Sequence, residues 1–334
     1  MSNVIYYSKT ALTGGAANAL DYIDGSLLND GDFAFVTVYG VLYVYRLSSS
    51  SGASESSPAI IAPDTNAGTK RWLMQKLNES RMGYIYGLNL SHGADTDHDI
   101  SVASGIARDG ADADDMILTS ALTKQADSVW SVGSAAGGMA SGESLPTSGT
   151  IHVWLIKRSD TGVVDVMFNN NAATGLSPAL PPGYGYKRRI GSYRTDASAN
   201  ILNGDYCGNG NNRRFIYDAP VWDINVNNPG TSAVLASLSV PAGIKVNAII
   251  RGRVVDGGLN NYPLIYTSSP DSIDLAPSTS VAPYVDHNSN NNTNSSPFMK
   301  MILTNTSNQI RYRLNTSGAG NLVYIITDGW EDYL

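Results

Sequence analysis

The sequence predicts an all-β protein, in which a small N-terminal β module precedes two antiparallel, jelly-roll-like β-sandwich domains. Three observations lead there. Only 15% of the 334 residues are charged against 42% hydrophobic, too few Glu, Lys and Arg for helical bundles or coiled coils. Glu occurs only at Glu55, Glu79, Glu143 and Glu331, so Asp supplies the remaining acid, and Asp favours turns where Glu favours helices. Short segments rich in β-branched and aromatic residues alternate with clusters of Gly, Pro, Asn and Ser, as in sandwiches. The length suffices for two or three units that each bury a core.

The first unit is expected at 1–80. The turn Asp30-Gly31-Asp32 precedes a strand over 33–39, Gly40 punctuates it, and 41–47 returns as the second arm of a hairpin. A polar loop over 48–57 leads to a short strand at 59–61, and the turn formers of 63–68 precede Lys70-Arg71-Trp72-Leu73-Met74-Gln75. The second unit, 81–204, opens with an alternating strand over 83–90. Residues 114–125 read as a strand and then a turn, with a short helix as the alternative, and 150–157 pairs with 162–168 around Ser159-Asp160-Thr161-Gly162. Residues 184–193 and 200–202 close that unit. The third, 205–334, carries six strands, expected at 233–238, 244–254, 262–267, 299–304, 309–314 and 322–327, with a polar loop over 287–294. No fixed-period repeat is present, which disfavours a long β-helical shaft.

Composition excludes some functions. A formal charge of −7 provides no basic footprint for phosphates, so nucleic acid is not an expected partner. Cys207 is the single cysteine, which leaves neither an intramolecular disulfide nor a multi-cysteine metal site. Residues 1–10 lack the basic and apolar segments of a secretory signal. The most apolar run, 33–45, is too short for a bilayer, so the chain is expected not to be membrane-embedded.

No HExxH, GxSxG, GxGxxG or P-loop pattern occurs, and His92, His98, His152 and His287 are scattered, so no catalytic residue and no cofactor is expected. His152 sits in an apolar strand, where a hydrogen-bonded core or edge histidine is the simpler expectation. Asp95, Asp97 and Asp99 would share one face of an extended chain and are a weak candidate for a calcium site, without the glycine or terminal Glu of an EF-hand loop; a solvated turn is the simpler alternative. Tyrosine is abundant, 19 against 5 Phe, and pairs an apolar face with a polar tip suited to sugar rings and interfaces. The candidate binding residues are those beside polar loops: Tyr262, Tyr266, Tyr284, Asp286, His287 and Asn290. Lys187-Arg188-Arg189 and Arg213-Arg214 suit either an acidic glycan, a neighbouring subunit or the protection of sheet edges.

Several motifs carry a resemblance. Asp30-Gly31-Asp32, Tyr43-Val44-Tyr45-Arg46-Leu47, Ser51 to Pro58, and Ile61 to Trp72 resemble the N-terminal module of tailed-bacteriophage tail fibre proteins. The middle unit is similar to a following module through Ala121 to Gln125, Trp130 to Gly133, Ile156 to Ser159 and Arg188 to Ser192. The end is similar to their terminal sandwich through Ser239 to Val246, Ser268 to Asp271 and Asp328-Gly329-Trp330. The resemblance covers nearly the whole chain and implies a homotrimeric virion component made in the bacterial cytoplasm. Its N-terminal module would attach to tail or baseplate proteins, and its distal loops would touch a bacterial surface glycan or outer-membrane protein. No catalytic residue comes with the resemblance. The alternatives are a polysaccharide depolymerase tailspike and a purely structural tail or collar protein.

Overall fold

A computed structural model of the protein describes residues 4–38, 41–75, 83–170, 177–256, 262–280, 284–289 and 297–334. Every regular element among them is a β-strand, except one turn of 3₁₀ helix at Gly25–Leu27. The all-β class therefore holds. The chain divides into two compact units, Met1–Met82 and Gly83–Leu334.

The first unit is a five-stranded sheet ordered Tyr6–Lys9, Phe33–Val38, Val41–Ser48, Arg71–Met74, Ile60–Ile61. Alternation along Phe33–Val38 places Ala34 and Val36 inside and leaves Phe35 outside, as a one-sided strand requires. The core holds Leu20, Tyr45, Leu47, Ile61 and Trp72. Turn residues then fasten the loops. Gly31 takes a φ of +86°, which side chains disfavour, and this turn leaves Asp30 at the surface and Asp32 inside. Asp30 Oδ1 accepts the Ser49 N–H at 2.8 Å. The wholly buried Asp32 accepts the N–H groups of Ile5 at 2.9 Å and Asn29 at 2.8 Å. Lys70 Nζ donates to the carbonyls of Gly25 and Leu28, and Arg71 donates to those of Ala53, Gly68 and Lys70.

Among the described residues the second unit contains four sheets. A three-stranded sheet runs Asp115–Leu118, Gly105–Arg108, Ile85–Gly87. A seven-stranded sheet is ordered Tyr184–Arg194, Thr150–Arg158, Val164–Asn169, Ala136–Met139, Leu122–Val129, Asp99–Val102, Leu90–His92. A five-stranded sheet follows the order Gly204–Asn209, Asn212–Asn227, Leu322–Tyr333, Asn247–Val255, Phe298–Leu303, and a four-stranded one Val234–Ser237, Gln309–Leu314, Leu264–Ser268, His287–Asn288. The alternating strand expected over 83–90 is split, because Leu88 turns into the left-handed region at φ 55°. Strands Gly204–Asn209 and Asn212–Asn227 were not among those expected.

Tyr6–Lys9 runs parallel to Phe33–Val38 in the first unit, and among the described residues of the second unit pairing departs from the antiparallel expectation at one strand. Ala136–Met139 runs parallel to both Leu122–Val129 and Val164–Asn169. Its glycines allow this close fit: a Cβ on Gly137 would lie 2.0 Å from the Val129 carbonyl oxygen, and one on Gly138 would lie 2.5 Å from the Phe168 ring.

The expected boundary at 204/205 falls inside the second unit, whose apolar core is continuous from Ile85 to Trp330. Tyr193 packs edge-to-face on Tyr206 and on Phe215, and Phe215 stacks on Trp330 at 4.4 Å. Beside this cluster the Arg213 side chain is buried, donating to the carbonyls of Leu88 (2.7 Å), Ile190 (3.0 Å), Gly87 (2.7 Å) and Gly210 (3.3 Å). Arg189 forms a two-pronged pair with the buried carboxylate of Asp332. The basic residues singled out in the sequence thus join segments of the fold: Arg188 donates to the Gly83 carbonyl and Lys187 to Ser177 and the Pro178 carbonyl.

Replacing Arg213 with Met should lower unfolding free energy by about 3 kcal/mol, because buried carbonyl oxygens lose a charged donor. The neighbouring Arg214→Met, which removes only an exposed 3.4 Å contact with Glu331, should cost no more than about 0.5 kcal/mol. Chemical denaturation of the two variants checks both values, and equal midpoints would refute the assignment of Arg213. Asp32→Ala takes the buried acceptor from the amide donors of Ile5 and Asn29 in the first unit, and should cost about 2 kcal/mol by the same measurement.

Candidate functional site

The structure joins part of the predicted tyrosine site. Tyr266 lies on strand Leu264–Ser268, and its ring centroid is 6.0 Å from that of Tyr284. Asp286 accepts the N–H and hydroxyl of Thr267 at 2.5 and 2.6 Å. Lys300 Nζ reaches Asp286 at 2.8 Å and the Thr267 carbonyl at 2.7 Å, and lies 4.9 Å over the Tyr266 ring. Burial, with help from Asp286, raises the Tyr266 pKa, so the phenol stays protonated. His287 pairs in register with Ile265 and stacks on Phe298 at 6.5 Å. Tyr262 is exposed at φ 47°, with its N–H directed to Asp256 at 3.4 Å. Asn290 lies outside the described residues. The cluster of Tyr266, Tyr284, Asp286 and Lys300 is thus self-contained: the acid and the base neutralise one another, and Tyr284 alone offers an exposed ring.

A second concave surface, not anticipated from the sequence, lies on the five-stranded sheet. Alternation along Asn247–Val255 and Leu322–Tyr333 buries Ala248, Ile250, Val254, Val323 and Ile325 on one side. The opposite side carries Arg251, Arg253, Tyr324, Ile326 and, from Asn212–Asn227, Trp222. These residues, with Gly252 and Pro297, line a groove of about 290 Å³. Trp222 is 58% exposed; its indole N–H donates to the Ile224 carbonyl at 3.0 Å, and its ring meets Tyr324 edge-on at 5.6 Å. Arg251 is committed to Asp328 through two contacts of 2.8 and 2.5 Å. The Arg253 guanidinium lies 4.8 Å over the Tyr324 ring and, among the described residues, has no ion pair. An exposed indole, a second aromatic ring and an uncommitted guanidinium in one groove have the make-up of a binding surface.

The aspartates at 95–99 form a turn rather than an extended row. Asp95 accepts the Asp97 N–H at 3.1 Å and faces His98 Nδ1 at 3.0 Å, and this hydrogen bond raises the His98 pKa while lowering that of Asp95. Among the described residues no group of three His, Cys, Asp or Glu side chains is placed to hold a metal ion.

One Ser–His pair does form. His152 Nδ1 lies 2.7 Å from the Ser192 hydroxyl, but both residues are fully buried, which denies a substrate access to the hydroxyl. Burial first, then the nearby Arg189, pushes the His152 pKa down to about 3, so the imidazole is neutral. Arg189 also reaches the Ser192 hydroxyl at 3.3 Å, and Tyr206 and Ser192 exchange hydrogen bonds through the phenol, extending the network into strand Gly204–Asn209. His152 is therefore a core residue.

No protein-family model matches this chain, and no curated protein matches it.

The His152 environment sets a pH dependence. Between pH 6.5 and about 3 the unfolded state binds a proton that the folded imidazole does not, so stability falls as pH drops through that window. The loss should approach about 1.4 kcal/mol per unit in its steepest part. Denaturation midpoints of wild type and His152→Gln from pH 7 to pH 4 check this. The variant should be less stable at pH 7 yet lose less on acidification, and parallel pH profiles would count against it.

Proposed function

We propose that this protein is a tail fibre of a tailed bacteriophage, which attaches to the virion through its N-terminal module and holds a surface glycan or protein of the host through its second unit. The observation that carries this reading is the correspondence between the resembling motifs and the residues that fasten the first unit. Asp30 and Asp32 fix its turn, Tyr45 and Trp72 fill its core, and Lys70 and Arg71 bind its loops. Such residues specify a separate attachment module, and residues 1–82 are a compact unit of their own. That unit also carries a groove of about 640 Å³, beside which Tyr22 and Leu27 are exposed, a composition suited to a protein partner.

In this reading the five- and four-stranded sheets pair as a jelly-roll-like sandwich, and three chains associate. Trimerisation converts weak contacts at the distal surface into avidity, provided that the three sites engage together. The Trp222 groove is the surface best equipped for those contacts, because its polar groups are not all consumed internally as they are around Asp286.

Antibodies against residues 83–334 should label the tails of intact particles, and the purified full chain should bind susceptible bacteria and slow adsorption of the phage. Labelled tails without cell binding would favour the structural tail or collar protein instead, and release of reducing ends from host capsule or lipopolysaccharide would favour the depolymerase. Mass photometry of the purified protein should report three subunits, and a stable monomer would refute the trimer.

A further inference from the structure

Strand pairing alone assembles the groove. Trp222 stands opposite Ile326, Ile326 opposite Arg251, and Arg251 opposite Met299, forming a row across four strands; one step along, Tyr324 stands opposite Arg253. All of these residues lie on the exposed side of the sheet, so the groove is built mainly on paired strands, with Pro297 beside the start of Phe298–Leu303, and the ladder fixes the geometry of its charged and aromatic residues. The two arginines differ in charge balance. Arg251 is neutralised by the Asp328 carboxylate, whereas Arg253 has the Tyr324 ring beneath it and no carboxylate partner among the described residues. A guanidinium stacked in this way keeps its planar fork of N–H donors available for an acceptor.

We propose that this groove is a subsite for one sugar ring bearing a negative charge, either carboxylate or phosphate. The C–H face of a pyranose would stack on the exposed Trp222 indole, and the anion would take the Arg253 fork in a two-pronged pair. Charge selects the class, because a neutral ligand covering the groove would strip water from Arg253 without replacing those hydrogen bonds. Volume selects the size: about 290 Å³ lies at the small end of ligand pockets and suits one ring with its substituent. The proposal rests on the adhesin reading only for the source of the sugar, not for the chemistry of the site.

Trp222 gives a direct probe, since Trp72, Trp154 and Trp330 are buried and Trp130 is half-buried. Intrinsic fluorescence of the full-length protein is titrated with glucuronic acid, glucose 6-phosphate and methyl glucoside. Glucuronic acid, glucose 6-phosphate or both should bind with a dissociation constant on the order of 1 mM, and methyl glucoside at least about tenfold more weakly. Preference between the two acids separates a carboxylated from a phosphorylated source. Arg253→Gln should weaken the anionic sugars by about tenfold without changing the melting temperature, and added salt should weaken wild-type binding. Trp222→Ala, followed by calorimetry, should abolish binding with the fold intact.

Equal affinity for methyl glucoside, no response to any of the three probes, or unchanged affinity in Arg253→Gln would overturn the proposal. So would Trp222→Glu dissociating an assembly of the wild-type chain, which would assign this face to a second copy. Cell binding separates this proposal from the adhesin reading. If wild type binds bacteria but none of the three sugars, the subsite fails while the adhesin stands. If wild type binds the anionic sugars but no bacteria, the subsite stands and the adhesin fails.

Discussion

The buried guanidinium of Arg213 is the constraint around which the larger unit is arranged. A charge withdrawn from water must be solvated by the protein, and here backbone carbonyls from Gly87, Leu88, Ile190 and Gly210 perform that task. Those carbonyls come from widely separated parts of the chain and meet only when the strands around them are in register. Strand Asn212–Asn227 then presents Phe215 and Tyr217 to the aromatic cluster of Tyr193, Tyr206 and Trp330. The pair of Arg189 with Asp332 makes a second charged tie between the same regions. What composition presents as two sandwiches is thereby a single packed unit.

The contrast between the two aromatic surfaces illustrates how charge accounting decides function. Around Tyr266 the cation and the carboxylate are already partners, so the cluster strengthens the fold and offers little to a ligand. Around Trp222 one arginine is satisfied and the other is not. Similar residue types thus give a structural brace in one place and an open surface in another. The same logic disposes of the Ser192–His152 pair, whose hydrogen bond is good but whose imidazole is sealed from solvent and kept neutral.

The class and many strands were legible in the sequence because alternation in one-sided strands is a local signal. The hairpin of Phe33–Val38 with Val41–Ser48 and that of Thr150–Arg158 with Val164–Asn169 lie close to their expected bounds. Asn212–Asn227 was not legible, since Arg213 occupies a core position and Pro220 falls in the register shift between Ile216 and Val221. Lys124 hides its strand in the same way: it is buried within Leu122–Val129, where Asp165 neutralises it and the Ser131 carbonyl accepts from it. Of the tyrosine site, proximity to polar loops found Tyr266 and Tyr284 but not their partner Lys300, which comes from another strand. The Trp222 groove depends on pairing between strands far apart in the chain, a relation that no local pattern encodes. The alternation of Arg251 and Arg253 in an otherwise apolar strand was the one available hint.

The order of the five-stranded sheet bears on synthesis as well as on shape. Its middle strand, Leu322–Tyr333, separates Asn212–Asn227 from Asn247–Val255, and both of those neighbours are made long before it. Until residues near 333 have left the ribosome, two long strands hold unpaired edges facing one another, and the seat of Trp330 among the aromatic rings stays empty. Loop closure over such distances is slow, and open edges are the usual starting point of misassembly. The nascent chain therefore passes through an interval in which its five-stranded sheet is nearly complete yet unsealed, and a chaperone or neighbouring copy that shields those edges would govern the yield of folded protein.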